Sequence, residues 1–244
     1  MLRTIRRAAF DQARTQLLSP LSLLAALAMP CVFAFVLHSF APGRTTPDMA
    51  VGIAGIGMLN AVIVDLLGAM SKEKVWRTLY PALGSPGGLV PVVLGRLAGI
   101  AAQALVSLPG TLLVLVLAWG ISPDFDWFRW LAGGLLLAIA TTAVVGLLAY
   151  FLLRFPSSPG MTNGLTGILI ALSALLVPNA ALPAVVQPIA WLIPQSHVMA
   201  WTRGGDIPQI LIALGQVVVF SAVVLASLRR LERIAREQSV PLEY

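Results

Sequence analysis

Charge is what this chain has least of. Lys, Arg, Asp and Glu make up 11% of its 244 residues, where an ordinary soluble domain carries about 25%, so a water-facing surface cannot be dressed from this composition. With 58% hydrophobic residues and a mean hydropathy of +0.90, an integral membrane protein is the only broad class that fits. Cysteine is almost missing: Cys31 stands alone, so no intrachain disulfide can form and no oxidising compartment is needed. The only histidines are His38 and His197, spaced for neither a bundle haem nor a zinc site. There is no G-x-x-x-x-G-K-[ST] loop to cradle ATP phosphates. There is no G-x-S-x-G elbow and no usable intramembrane serine–histidine spacing either. Asp65, the one intramembrane carboxylate, lacks the partner acids of a metal-dependent lipid transferase. These gaps argue against an enzyme, a metal site or a resident cofactor. Six spans of about 20 residues would use about 120 positions, which leaves short loops and no expected nucleotide-hydrolysing domain.

What is present is a series of charge-free windows. They lie at 21–40, at 49–70 (interrupted only by Asp65), from Arg96 to about residue 119, at 130–153 and at 207–228. Between the last two, residues 155–202 run uncharged but carry Pro178, Pro183, Pro188 and Pro194. Each proline removes a helical hydrogen bond, and broken backbone at membrane depth survives only inside protein or along a wet cavity. The pattern predicts a fifth span at about 160–177, then a re-entrant outer segment at 179–203 made of two half-helices.

Charge parity supports six crossings. Arg3, Arg6, Arg7 and Arg14 stand at one terminus, and Arg229, Arg230, Arg233 and Arg236 in the 229–244 tail at the other. Both clusters favour the cytoplasm. Six spans then place thirteen basic residues inside and three (Arg44, Arg129, Arg203) outside. The net charge of +6 thus reads as orientation, with no nucleic-acid partner. The first apolar run is too long for a signal peptide and lacks an A-x-A-like cleavage site. Ahead of it, Arg3, Arg7, Phe10, Arg14 and Leu17 share one helical stripe, which predicts an interfacial helix over 1–19 closed by Ser19-Pro20. Trp119, Trp127, Trp130, Trp191 and Trp201 fall at the expected outer boundary, as aromatic belts do.

The loop at 71–86, SKEKVWRTLYPALGSP, combines charge, aromatics and a Gly-Ser-Pro stop. It reads as a short helix outside the membrane with the mixed surface that protein interfaces enrich. In detail, this acidic-basic helix, Thr78-Leu79 and the Leu83-Gly84-Ser85-Pro86 close resemble the loop between spans two and three in ABC exporter permeases of the type-2 class. Leu182-Pro183, Gln187-Pro188, Pro194 and Arg203 are similar to that family's proline-rich outer segment before the last span. Arg77 stands where the family often has glycine, and Ile193 where asparagine is frequent. The resemblance extends over essentially the whole chain.

It implies an all-α membrane permease that is no enzyme by itself. Two such subunits, alike or different, would work with two nucleotide-binding ATPase subunits that supply ATP and Mg chemistry. The loop helix, with Lys72, Glu73, Trp76, Arg77, Thr78, Leu79 and Tyr80, would be the ATPase-coupling element. Asn60, Asp65 and Gln103 are the candidate pathway or helix-packing residues. Asp65 reads either as an ion pair with Lys72 or Arg96 or as a gating group, and Asn60 and Gln103 as interhelical hydrogen bonders. His197 reads as a hydrogen-bonded interface residue. Gly52, Gly55 and Gly57, and Gly95 with Gly99, permit close helix approach. Short outer loops favour export, or extrusion of a lipid from one leaflet, over import with a binding protein. Walls of Leu, Val and Ala suit an amphipathic or apolar cargo such as a drug, antibiotic, lipid or modified peptide. Ala- and Arg-rich usage suggests a GC-rich bacterium, so that, with the charge parity above, the expected location is a bacterial inner membrane, multi-pass with both termini cytoplasmic. An ion-coupled secondary transporter or a membrane scaffold is the alternative; the former usually shows internal repeats and several intramembrane ionisable groups.

Overall fold

The computed structural model describes residues 2–40, 47–75, 88–119, 126–154 and 159–238. Among them the chain is all helical: α1 Leu2–Leu17, α2 Pro20–Phe40, α3 Pro47–Val75, α4 Leu89–Ala104, α5 Ser107–Trp119, α6 Trp127–Arg154, α7 Pro159–Leu172, a 3-10 turn at Asn179–Ala181, α8 Gln187–Trp191, α9 Pro194–Thr202 and α10 Ile207–Gln238. Four stretches of the described residues are long and apolar enough to cross a membrane: Met49–Ala69, Leu89–Leu117, Trp127–Tyr150 and Ile207–Ile234.

Local sequence explains the boundaries. Pro20 occupies the first position of α2, where its missing N–H costs nothing, and the Ser19 carbonyl accepts the first helical bond from Leu23. Asp126 caps α6, its Oδ1 accepting from the Phe128 and Arg129 amides at 3.0 and 3.1 Å. The expected third span begins earlier than Arg96, at Leu89, and is two helices. Pro109 has no N–H for the Leu105 carbonyl, so the chain breaks at 105–106, and Ser107 Oγ turns to the Ala54 carbonyl of α3 at 3.1 Å. The fifth apolar helix stops at Leu172, five residues short of the expected 177. There the Ser173 hydroxyl donates back to the Leu169 carbonyl and Ala174 takes φ +52°, a left-handed turn that no helix continues through.

Helix α3 is the hub. Ile53, Ile56, Met58, Leu59, Ile63 and Leu66 are fully buried or nearly so, against α2, α4, α5 and α6. The shares buried, 83% of the α3 window against 11% for α10, make α10 the peripheral helix. Trp130 and Trp201 are each 6% exposed, so these two expected belt residues are core members instead; Trp127 and Trp191 remain half-exposed.

Apolar surface gives no net drive between helices in lipid, so close fit must supply the attraction. The α1–α4 pair illustrates this. Gly95 lies against Ile5, Ala8 and Ala9, and Gly99 against Ala9, Gln12 and Ala13; a Cβ at Gly99 would meet the Ala9 carbonyl oxygen at 2.6 Å. The two helices therefore run in parallel along a glycine groove, closed by Arg96 Nη1 donating to Gln12 Oε1 at 3.2 Å. Arg3, Arg7, Phe10, Arg14 and Leu17 are exposed on the other face of α1. Gly99→Leu is expected to lever α1 off α4 at a cost of about 1–3 kcal/mol. In a Cys31→Ser, Ala13→Cys background, maleimide labelling of position 13 should then rise.

Candidate functional site

Polar side chains gather at the two ends of the bundle. At the end where α3, α6 and α10 begin, the proline-rich segment leaves carbonyls that helices cannot satisfy, and long side chains collect them. The Trp191 carbonyl at the α8 terminus accepts from Gln216 Nε2 at 2.9 Å and lies 2.8 Å from His197 Nε2. The other ring nitrogen of His197 lies 2.7 Å from Gln209 Oε1, so this buried histidine ties α8, α9 and α10 together. Arg203 Nη2 donates to the Leu175 carbonyl at 3.0 Å. Arg129 Nη1 donates to the Trp201 carbonyl at 3.4 Å, with its guanidinium 5.7 Å above the Trp201 ring. Gln195, on the first turn of α9, is completely buried, and neither amide atom has a hydrogen-bond partner among the described residues. Buried amides of this kind are uncommon. Nothing in its local sequence distinguishes Gln195 from a surface glutamine.

The mid-bundle candidates do not converge. Asp65 is 5% and Gln103 0% exposed, whereas Asn60 is half-buried. Asn60 and Asp65 are five residues apart, about 140° around α3, so they present to different neighbours. Gln103 lies one turn before Ser107, at the α4–α5 break. Arg96 donates to Gln12 on α1, and the side chain of Lys72 lies outside the described residues.

At the opposite end, α3 continues to Val75, so Lys72 and Glu73 stand on a direct extension of that helix. Trp76, Arg77, Thr78, Leu79 and Tyr80 lie outside the described residues. The chain re-enters at Gly88, whose φ of +72° favours glycine, and a Cβ there would overlap Glu232. Glu232 Oε2, from the far end of α10, accepts from the Leu89 and Val90 amides at 3.2 and 3.4 Å. Its Oε1 pairs with Arg236 one turn on. A carboxylate at a helix N-terminus satisfies orphan donors and the macrodipole together, so the last helix clasps the start of α4. Sequence reading overlooked Glu232. The Glu-x-x-x-Arg spacing was visible, but its amide partners lie more than 140 residues away. Glu232→Ala is expected to cost about 1 kcal/mol, as loss of a helix cap does, and Glu232→Gln less. Melting of the purified variants in detergent checks both.

Among the described residues, no three His, Cys, Asp or Glu side chains are grouped to hold a metal ion. Comparison with protein-family models, curated sequences and solved structures returned no match.

Proposed function

We propose that the chain is the membrane-spanning subunit of an ATP-driven exporter of the type-2 ABC class. It would cross the membrane six times with both termini cytoplasmic, pair with a second permease subunit, and be driven by two copies of a separate nucleotide-binding ATPase. Residues 72–80 form its coupling element, 179–203 its re-entrant outer segment, and an amphipathic or apolar compound its cargo. The observation that carries this reading is the Glu232 clasp on Leu89 and Val90. The segment after α3 that resembles a coupling loop is anchored on α3 at one side and on α4 and α10 together at the other. A push on that loop therefore reaches three long helices at once, which a passive connector would not require. Bulk in the outer segment is fixed by Arg203, Arg129 and His197, as suits a piece that must stay in register while helices move.

The purified chain alone should hydrolyse no ATP, and with its cognate ATPase it should form an assembly of two membrane and two nucleotide subunits. ATP hydrolysis by the isolated chain, or transport that persists without any ATPase and follows an ion gradient, would replace this reading by the ion-coupled one. An impermeant label that reaches a cysteine at Tyr244 from outside would remove the six-span topology.

A further inference from the structure

We infer that the end of α10 carries a binding site for the phosphate headgroup of an anionic lipid. The inference needs only that α10 crosses the bilayer, and stands or falls apart from the transport reading. An open cleft of about 520 Å3 lies between the start of α4 and the end of α10. Val90 and Pro91 form its apolar side, and Arg229, Arg233 and Arg236 rise from α10 with Glu232 and Glu237. Glu232 is committed to the α4 amides and to Arg236. Arg229 and Arg233 are exposed, and neither has a carboxylate partner among the described residues.

The register of α10 says what the cleft faces. Leu211 and Val218 are 64% and 68% exposed, on a helix that is mostly unburied. Arg229 follows Leu211 by eighteen residues, about five full turns, and so lies on the same face; Arg233 and Arg236 fall within about 40° of it. Eighteen residues rise about 27 Å, close to the roughly 30 Å thickness of a hydrocarbon core. A single stripe is thus apolar over one bilayer thickness and becomes arginine at its end. A lipid of the leaflet at the arginine end would lay its acyl chain along the nearer half of this stripe, as far as Val218 about 16 Å away, and place its phosphate between the guanidinium groups, whose planar forks match phosphate oxygens in pairs. Glu237, exposed at the rim, disfavours a bulky anionic partner but leaves room for one phosphodiester. A second copy of this chain would set arginine against arginine across a two-fold axis, which the charge pattern opposes.

The test uses the full chain, delipidated in detergent and supplied with equal amounts of phosphatidylglycerol and phosphatidylcholine of the same acyl composition. Native mass spectrometry should find phosphatidylglycerol retained at least about tenfold over phosphatidylcholine. Arg229→Gln with Arg233→Gln should bring the ratio near one, whereas Arg3→Gln with Arg7→Gln, which removes equal charge from α1, should leave it unchanged. Arg229→Lys with Arg233→Lys keeps the charge, guards against a folding defect in the glutamine pair, and should give an intermediate ratio. No preference in the native chain, or a full preference in the lysine pair, would overturn the site. So would displacement of the lipid by millimolar inorganic phosphate alone, or a dimer that the glutamine pair dissociates.

Discussion

Replacing Gly52 by alanine is expected to loosen the end of the bundle where α3 begins. A Cβ at Gly52 would overlap the Leu175 carbonyl oxygen, a backbone atom that cannot swing away as a side-chain tip can. That same oxygen accepts the hydrogen bond from Arg203, and it is aimed at α3 by the left-handed turn at Ala174. Relief of the clash therefore means moving the turn, and with it a charge-assisted hydrogen bond worth about 1.5–3 kcal/mol. Overpacking alone costs typically 1–3 kcal/mol; with the bond disturbed, a loss of about 3 kcal/mol is expected. Gly68→Ala on the same helix supplies the contrast, because nothing lies within 4 Å of its added methyl. That change should be neutral or stabilise by up to about 1 kcal/mol through helix propensity. Thermal unfolding of both variants in one detergent measures the difference. Equal melting of Gly52→Ala and native protein would mean that α3 does not pack on Leu175.

Hydropathy located the long helices because burial in hydrocarbon is a property of composition, and composition is local. The windows at 49–70, 130–153 and 207–228 sit inside α3, α6 and α10. Their ends were less legible. Ser71, Lys72, Glu73 and Lys74 are too polar for hydrocarbon, yet the lysines and the glutamate are good helix formers, so α3 continues past its apolar window to Val75. The α4–α5 break had a visible cause in Pro109, whose effect falls on the preceding turn. The end of α7 had none: the turn at Ala174 is held by Arg203 and permitted by Gly52, both remote in sequence. The same holds for the candidate site. Asn60, Asp65 and Gln103 stand out as polar residues in apolar runs, and the five-residue spacing already sets Asn60 and Asp65 about 140° apart on a helix, but only the structure shows that Gln103 lies at the break between α4 and α5. Glu232 and Gln195 matter through partners, or through the want of them, that no local pattern encodes.

The second large effect concerns coupling, and it separates docking from transmission. If residues 72–80 seat in a groove on the ATPase, their apolar and aromatic members should carry most of the affinity, as buried anchors do. Trp76→Ala and Leu79→Ala are each expected to weaken partner binding by about 1–3 kcal/mol, roughly 5- to 150-fold in Kd. Glu73→Lys should act through repulsion, slowing association and steepening its salt dependence. Glu232 lies on α10 and accepts from the Leu89 and Val90 amides, nine and ten residues past the end of the proposed docking segment in sequence. Glu232→Ala should therefore leave the Kd for the ATPase unchanged while lowering cargo-stimulated ATP hydrolysis, because the loop no longer pulls on the last helix. All four variants should reach the membrane in normal amounts, since none adds a charge to an apolar window. Binding by surface plasmon resonance and hydrolysis in reconstituted vesicles supply the two readouts. Normal binding and stimulation in the Trp76 and Leu79 variants would reduce this loop to a charged connector, and a Glu232 variant that stimulates fully would show that α4 and α10 respond without the clasp.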